Sequence, residues 1–208
     1  ETEKKVHLCI CESIPKDLKT KFQILILQHP SEIQEDLSTS KLLELALPQN
    51  VKIHRGLSVR SLSSILPKAK DPKKWLVLYL GTNADQKKFS GTSIRYFKKK
   101  PNSPEPDFSQ IEGIVLLDGT WAQAKALWWR NPWLLKLHRV MIIPDKKSLY
   151  SHHRKEPRKE CVSTLESAAY TLKALGEPEL VQTKLLEILA NLISKYTTSS
   201  PSTRRNQV

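Results

Sequence analysis

Apolar positions along the chain follow two rhythms. Phe22 to Gln28, Trp75 to Leu80, Gly113 to Leu117 and His138 to Ile143 are near-continuous apolar runs of strand length, the pattern of strands buried on both faces of a parallel sheet. Elsewhere the spacing is that of a helix with one buried side. Leu42, Leu43, Leu45, Ala46 and Leu47 predict a short helix over 39–47, stopped by Pro48. Ala124, Leu127 and Trp128 predict another after Thr120, and Leu165, Ala168, Ala169, Leu172 and Leu175 a third before Gly176. Val181, Leu185, Ile188, Leu189 and Leu192 predict a last helix from Glu179 to about Tyr196. Val51–His54 reads as a short strand and Val59–Leu66 as a short helix or irregular connection, whereas 82–110 is a long connection without periodicity. Strands alternating with helices predict an α/β fold with a mainly parallel sheet flanked by helices.

The punctuation between these runs carries the chemistry. His29-Pro30 ends the first strand, because the residue before proline is pushed out of the helical region. Thr120 with Gln123, and Ser163 with Glu166, have the spacing of capping boxes, which mark where two helices begin. Asp118 falls at the carboxyl end of a strand, one residue before the turn glycine Gly119. Ligands of open α/β sheets collect at such ends, where helix N-termini present unpaired N–H groups. Asp118 is therefore a candidate catalytic carboxylate, although an aspartate between strand and helix also serves simply as a turn residue. Glu166 is explained by its cap alone; His29 is either a ligand contact at that strand end or, more often, structural, and Trp121 and Trp128 are more often core than a base-stacking platform.

Charge changes the picture. Thirty-four Lys plus Arg against twenty-one Asp plus Glu give a formal charge of +13 over 208 residues, which points to a polyanionic partner, nucleic acid first. The densest basic stretch lies between Pro144 and Cys161: Lys146, Lys147, His152, His153, Arg154, Lys155, Arg158 and Lys159, with Tyr150 among them. Those are the candidate RNA contacts. No apolar run is long enough to span a bilayer and no signal-peptide layout is present, so a soluble, cytoplasmic protein is expected. Cys9, Cys11 and Cys161 are too few and too odd for a disulfide framework; Cys9-x-Cys11 is a candidate half of a metal site, without enough neighbours to complete it. The dinucleotide, P-loop, zinc-protease and nucleophile-elbow motifs do not occur.

Asp118-Gly-Thr120-Trp121 after an apolar strand, with Lys155-Glu-Pro-Arg158 leading into Ser163-Thr164-Leu-Glu166-Ser-Ala168, resembles the DTW-domain family, as do Cys9-Ile-Cys11, His29-Pro30 and Leu80-Gly81. That family comprises the tRNA-uridine aminocarboxypropyltransferases, related to the SPOUT-type knotted methyltransferases. The resemblance implies a SPOUT-like fold with a C-terminal knot, in a single domain over 21–196. An irregular, loosely held leader at 1–20, the candidate remnant of a zinc-binding segment whose upstream part has been removed, would precede it, and a disordered tail at 197–208 would follow. It also implies S-adenosylmethionine as the donor of a 3-amino-3-carboxypropyl group to N3 of a tRNA uridine, leaving methylthioadenosine. Asp118 would be the catalytic carboxylate, and Leu80, Gly81, Leu117, Thr120, Trp121, Ser163, Thr164 and Glu166 would form the cofactor pocket. The earlier cysteine pair that completes a zinc site in many members does not occur here, and Leu80-Gly81 stands where many members have proline. A cofactor-free RNA-binding module and a SPOUT-type RNA methyltransferase are the alternatives.

Overall fold

The computed structural model describes residues 10–34, 38–79, 93–98, 104–143, 148–149 and 162–199. In chain order its elements are β1 (Gln23–Gln28), α1 (Thr39–Ala46), β2 (Val51–Arg55), α2 (Leu62–Ile65), β3 (Trp75–Leu78), β4 (Ser93–Tyr96), β5 (Gly113–Asp118), α3 (Trp121–Arg130), β6 (His138–Ile143), α4 (Thr164–Ala174) and α5 (Glu179–Ser199). The strands form one six-stranded sheet in the order β2-β1-β5-β3-β6-β4. Every neighbouring pair is parallel except β4 with β6.

The two faces of this sheet are sorted by residue parity, because alternate side chains of a strand point to opposite sides. Ile24, Ile26, Ile114, Leu116, Leu76 and Val140 lie in one cluster with Leu43 of α1, Leu165 and Leu172 of α4, and Leu185 and Leu189 of α5. Leu25, Leu27, Val77 and Val115 lie in the other, with Leu62 of α2, Leu127 and Trp128 of α3, and Trp133 and Leu134 beyond it. Each fully buried Leu or Ile contributes about 1.5–3 kcal/mol relative to exposure. At the foot of the sheet Gly113 pairs with Trp75, and a Cβ there would meet the indole at 2.5 Å, so glycine makes room for the ring.

The order of the strands creates a point of divergence. The chain leaves β1 through α1 on the first face to reach β2, and leaves β5 through α3 on the second face to reach β6, in the opposite direction along the sheet. β1 and β5 are neighbours, so the connections diverge between them at their carboxyl ends, where Gln28 pairs with Asp118. That is the topological switch point at which open α/β sheets bind ligands.

Several sequence expectations are corrected here. The span 82–110 is not structureless: Ser93–Tyr96 forms an antiparallel edge strand on β6, too short for its alternation to stand out. Residues 10–20 are irregular apart from one short 3-10 turn at Cys11–Ser13, but they are not loose, since Ile10 is buried in the first-face core and Ile14 and Leu18 pack against it. The last helix continues past Tyr196 to Ser199, with the Thr197 hydroxyl donating to the Ile193 carbonyl 2.9 Å away. The helix from Ser163 does stop as its glycine implies. Gly176 at φ +88° allows its N–H to reach Lys173 O and that of Glu177 to reach Leu172 O, both at 3.0 Å, closing a Schellman motif.

Candidate active site

Asp118 and Gln28 occupy the same parity as Ile114 with Leu116 and Ile24 with Ile26, so both point to the first face, where α1 and α4 begin. A row of apolar side chains thus ends in a carboxylate on one strand and an amide on the next. Both are buried, and a buried polar group must find partners. Asp118 Oδ2 accepts from Gln28 Nε2 at 2.8 Å, and Oδ1 accepts from the Thr164 hydroxyl at the start of α4. Its backbone carbonyl accepts from His29 N at 3.0 Å. Asp118 keeps 9% of its surface exposed, against 2% for Gln28.

Gln28 links the carboxylate to two further elements. Its Nε2 also donates to Ser40 Oγ at 2.8 Å, in the first turn of α1, and its Oε1 accepts from Arg55 Nε at 3.1 Å, at the end of β2. Five elements are therefore joined by side-chain bonds through this carboxylate and the Gln28 amide: β1, β2, β5 and the starts of α1 and α4. N-caps fix both helix starts: Ser38 Oγ accepts from Lys41 N, and the Ser163 and Glu166 side chains each bond the other's backbone N–H.

The turn after Asp118 is equally tight. Gly119 has φ +155°, and a Cβ there would lie 2.9 Å from Gln123 Cβ and Oε1 and 3.4 Å from His29 Cβ. Glycine lets Thr120 cap α3 in a reciprocal box with Gln123 while His29 packs alongside. On the second face, Leu117 borders an aromatic pair in which the Tyr79 and Trp128 centroids are 4.6 Å apart.

Glu166 sits one layer behind. It has no exposed surface, and three donors share its carboxylate: Ser148 Oγ and Ser163 N on Oε2, Leu149 N on Oε1, all at 2.8 Å. It fastens Ser148 and Leu149, which lie within the basic stretch, to the helix that carries Thr164.

The DTW-domain family model matches residues 3–197, nearly the whole chain. The chain belongs to the DTW-domain family. Over 194 residues this DTW domain is 32% identical to mouse tRNA-uridine aminocarboxypropyltransferase 2, a match covering 90% of the chain and 59% of the relative. The Drosophila melanogaster protein of the same name is 32% identical over 186 residues, covering 86% of the chain and 66% of the relative. Arabidopsis thaliana tRNA-uridine aminocarboxypropyltransferase A is 26% identical over 223 residues, 91% of the chain and 78% of the relative. The chain thus spans about three-fifths of the length of the mouse relative. No solved structure matches it.

Within this DTW domain, Asp118, Leu117, Thr120, Trp121, Ser163 and Thr164 lie at or next to the switch point. Thr164 touches Asp118 directly, and Glu166 is sealed behind them and acts through Ser163 and the Ser148–Leu149 segment. Leu80 and Gly81 lie outside the described residues, as do Lys146, Lys147, His152, His153, Arg154, Lys155, Arg158, Lys159 and Cys9. Among the described residues no group of three or more His, Cys, Asp or Glu is placed to hold a metal ion, and no helix is long and apolar enough to cross a membrane. Sequence reasoning misses Gln28, Ser40 and Arg55. The available signal was Gln28 itself, an amide at the core-facing parity of an otherwise apolar strand.

Proposed function

We propose that this DTW domain, acting in the cytoplasm, transfers the 3-amino-3-carboxypropyl group of S-adenosylmethionine to N3 of a uridine in tRNA, giving acp3U, with Asp118 as the catalytic carboxylate. The observation that carries the proposal is Asp118 at the switch point, held by Gln28 and Thr164 at the carboxyl ends of β1 and β5. The names of the relatives and the charge of +13 support the reaction class and the polyanionic substrate.

The residues present fit a cationic donor. Each carboxylate oxygen of Asp118 has two lone pairs, and the protein donors from Gln28 and Thr164 take one on each, leaving one further lone pair on each oxygen. Leu117, Thr120, Trp121, Ser163 and Thr164 would line the donor, together with Leu80 and Gly81. When bound, S-adenosylmethionine supplies an electrophilic carbon beside its sulfonium and leaves as methylthioadenosine. The part of Asp118 is to hold the proton of uridine N3 so that the ring nitrogen can attack, a contribution of about 10²–10⁴-fold for a positioned base. The basic residues of 146–159 would grip phosphates around the target. A SPOUT-like arrangement with a C-terminal knot belongs to the same proposal, supported by α4, which follows β6 yet returns to pack against β5.

The test is mass spectrometry of nucleosides and by-products after incubating unmodified tRNA with the protein and donor. Acp-modified uridine with methylthioadenosine is expected. Methyluridine with S-adenosylhomocysteine would replace the proposal by methyl transfer, and unmodified tRNA that is nonetheless bound would replace it by a binding module.

A further inference from the structure

We propose that Gln28, held in turn by Arg55, is the positioning residue for Asp118 and sets the direction in which its carboxylate meets the substrate; the proposal rests on the transfer chemistry above. Arginine has donors only, so the Gln28 atom facing Arg55 Nε at 3.1 Å must be the amide oxygen. The amide nitrogen then faces the other way, and its two hydrogens have one acceptor each, Asp118 Oδ2 and Ser40 Oγ, both at 2.8 Å. Gln28 is buried and every polar atom of its amide is used. It has one orientation that satisfies all three neighbours.

The consequence falls on Asp118. The last torsion of an aspartate is broad and roughly two-fold, so an unheld carboxylate turns easily. Here Gln28 from β1 fixes one oxygen and Thr164 from α4 fixes the other, which defines the carboxylate plane by two points on different elements. Group transfer between two bound substrates is sensitive to displacements of about 1 Å, where a loss of 10²-fold is ordinary. Arg55 is on the surface and touches Asp118 only through Gln28, so its role is to choose the orientation of the amide and polarise it.

Steady-state transfer to tRNA by Gln28→Ala, Arg55→Ala and Arg55→Lys, with thermal melts of each, tests the proposal. Gln28→Ala is expected to lower kcat about 10- to 100-fold, the worth of a hydrogen bond to a charged group, with KM for donor and tRNA within about twofold of wild type. Arg55→Ala is expected to lose about three- to tenfold in kcat, and Arg55→Lys, which restores a donor to Oε1, to recover most of it. An unchanged kcat in Gln28→Ala overturns the proposal. A raised KM for tRNA with unchanged kcat in Arg55→Ala makes Arg55 an RNA contact and overturns its part. Should Gln28→Ala fail to fold, the two exposed-site Arg55 variants decide by the same criteria. Should the wild type transfer nothing, the transfer reading falls and positioning is read from the carboxylate 13C resonance of Asp118: a shift in Gln28→Ala supports it, and an unmoved resonance overturns it.

Discussion

Glu166→Gln is a near-isosteric change that this structure tolerates poorly. The native carboxylate accepts from Leu149 N on one oxygen and from Ser148 Oγ and Ser163 N on the other, in a site without solvent exposure. An amide offers one oxygen and one NH₂. If the NH₂ takes the first position it faces the Leu149 N–H, and if it takes the second it faces the Ser163 N–H, although the Ser148 hydroxyl can turn to accept. Neither orientation works. One hydrogen bond to a charged group is lost and one part-buried backbone donor is left unmet, together about 2–4 kcal/mol once their overlap is allowed for. At about 2–4 °C per kcal/mol for a chain of this size, the melting temperature should fall by about 5–15 °C. A melt followed by circular dichroism, with urea titration for the free energy, measures it. A drop under about 2 °C would refute the reasoning, because the three donors would then have other partners.

Asp118→Asn is the contrasting case: a turned amide can still accept from Gln28 through its oxygen and donate to the Thr164 hydroxyl. Its melting temperature should change by no more than about 3 °C, while transfer falls about 10²–10⁴-fold if Asp118 holds the N3 proton, and less than about tenfold if it only orients the substrate. Gly113→Ala should destabilise by about 1–3 kcal/mol, since its methyl would sit 2.5 Å from the Trp75 ring, and Trp75→Leu in the same chain should recover part of that in denaturant titrations. Arg154→Ala with Arg158→Ala should weaken tRNA binding and reduce the slope of log affinity against log salt by about 1.4–1.8, leaving donor affinity unchanged. Equal loss of donor affinity would place those side chains in the pocket.

What the sequence reveals follows the range of the interactions involved. The apolar runs at Gln23–Gln28 and Gly113–Asp118 are legible because burial on both faces leaves little room for polar residues. The capping boxes at Thr120 and Ser163 are legible because both partners lie within one turn. Ser93–Tyr96 is not, since a four-residue edge strand is defined by its pairing with β6 rather than by its own pattern. Nor is the network around Asp118, because Gln28 is 90 positions from it and Thr164 is 46, and no local spacing announces such a meeting. The family motifs mark Asp118 and Thr164 as belonging together, whereas Ser40 and Arg55 emerge only once the sheet order is known.

That sheet order also shapes how the nascent chain must behave. β1 lies between β2 and β5, so after β2 has paired, one side of an almost wholly apolar strand waits for a partner that the ribosome has yet to make. At about 5–20 residues per second, the 90 residues separating Gln28 from Asp118 take about 5–20 s to emerge. Throughout that interval Ile24 to Leu27 present a sticky, unfinished edge. Holding chaperones should therefore engage translation intermediates that end before β5 and release those that extend beyond it.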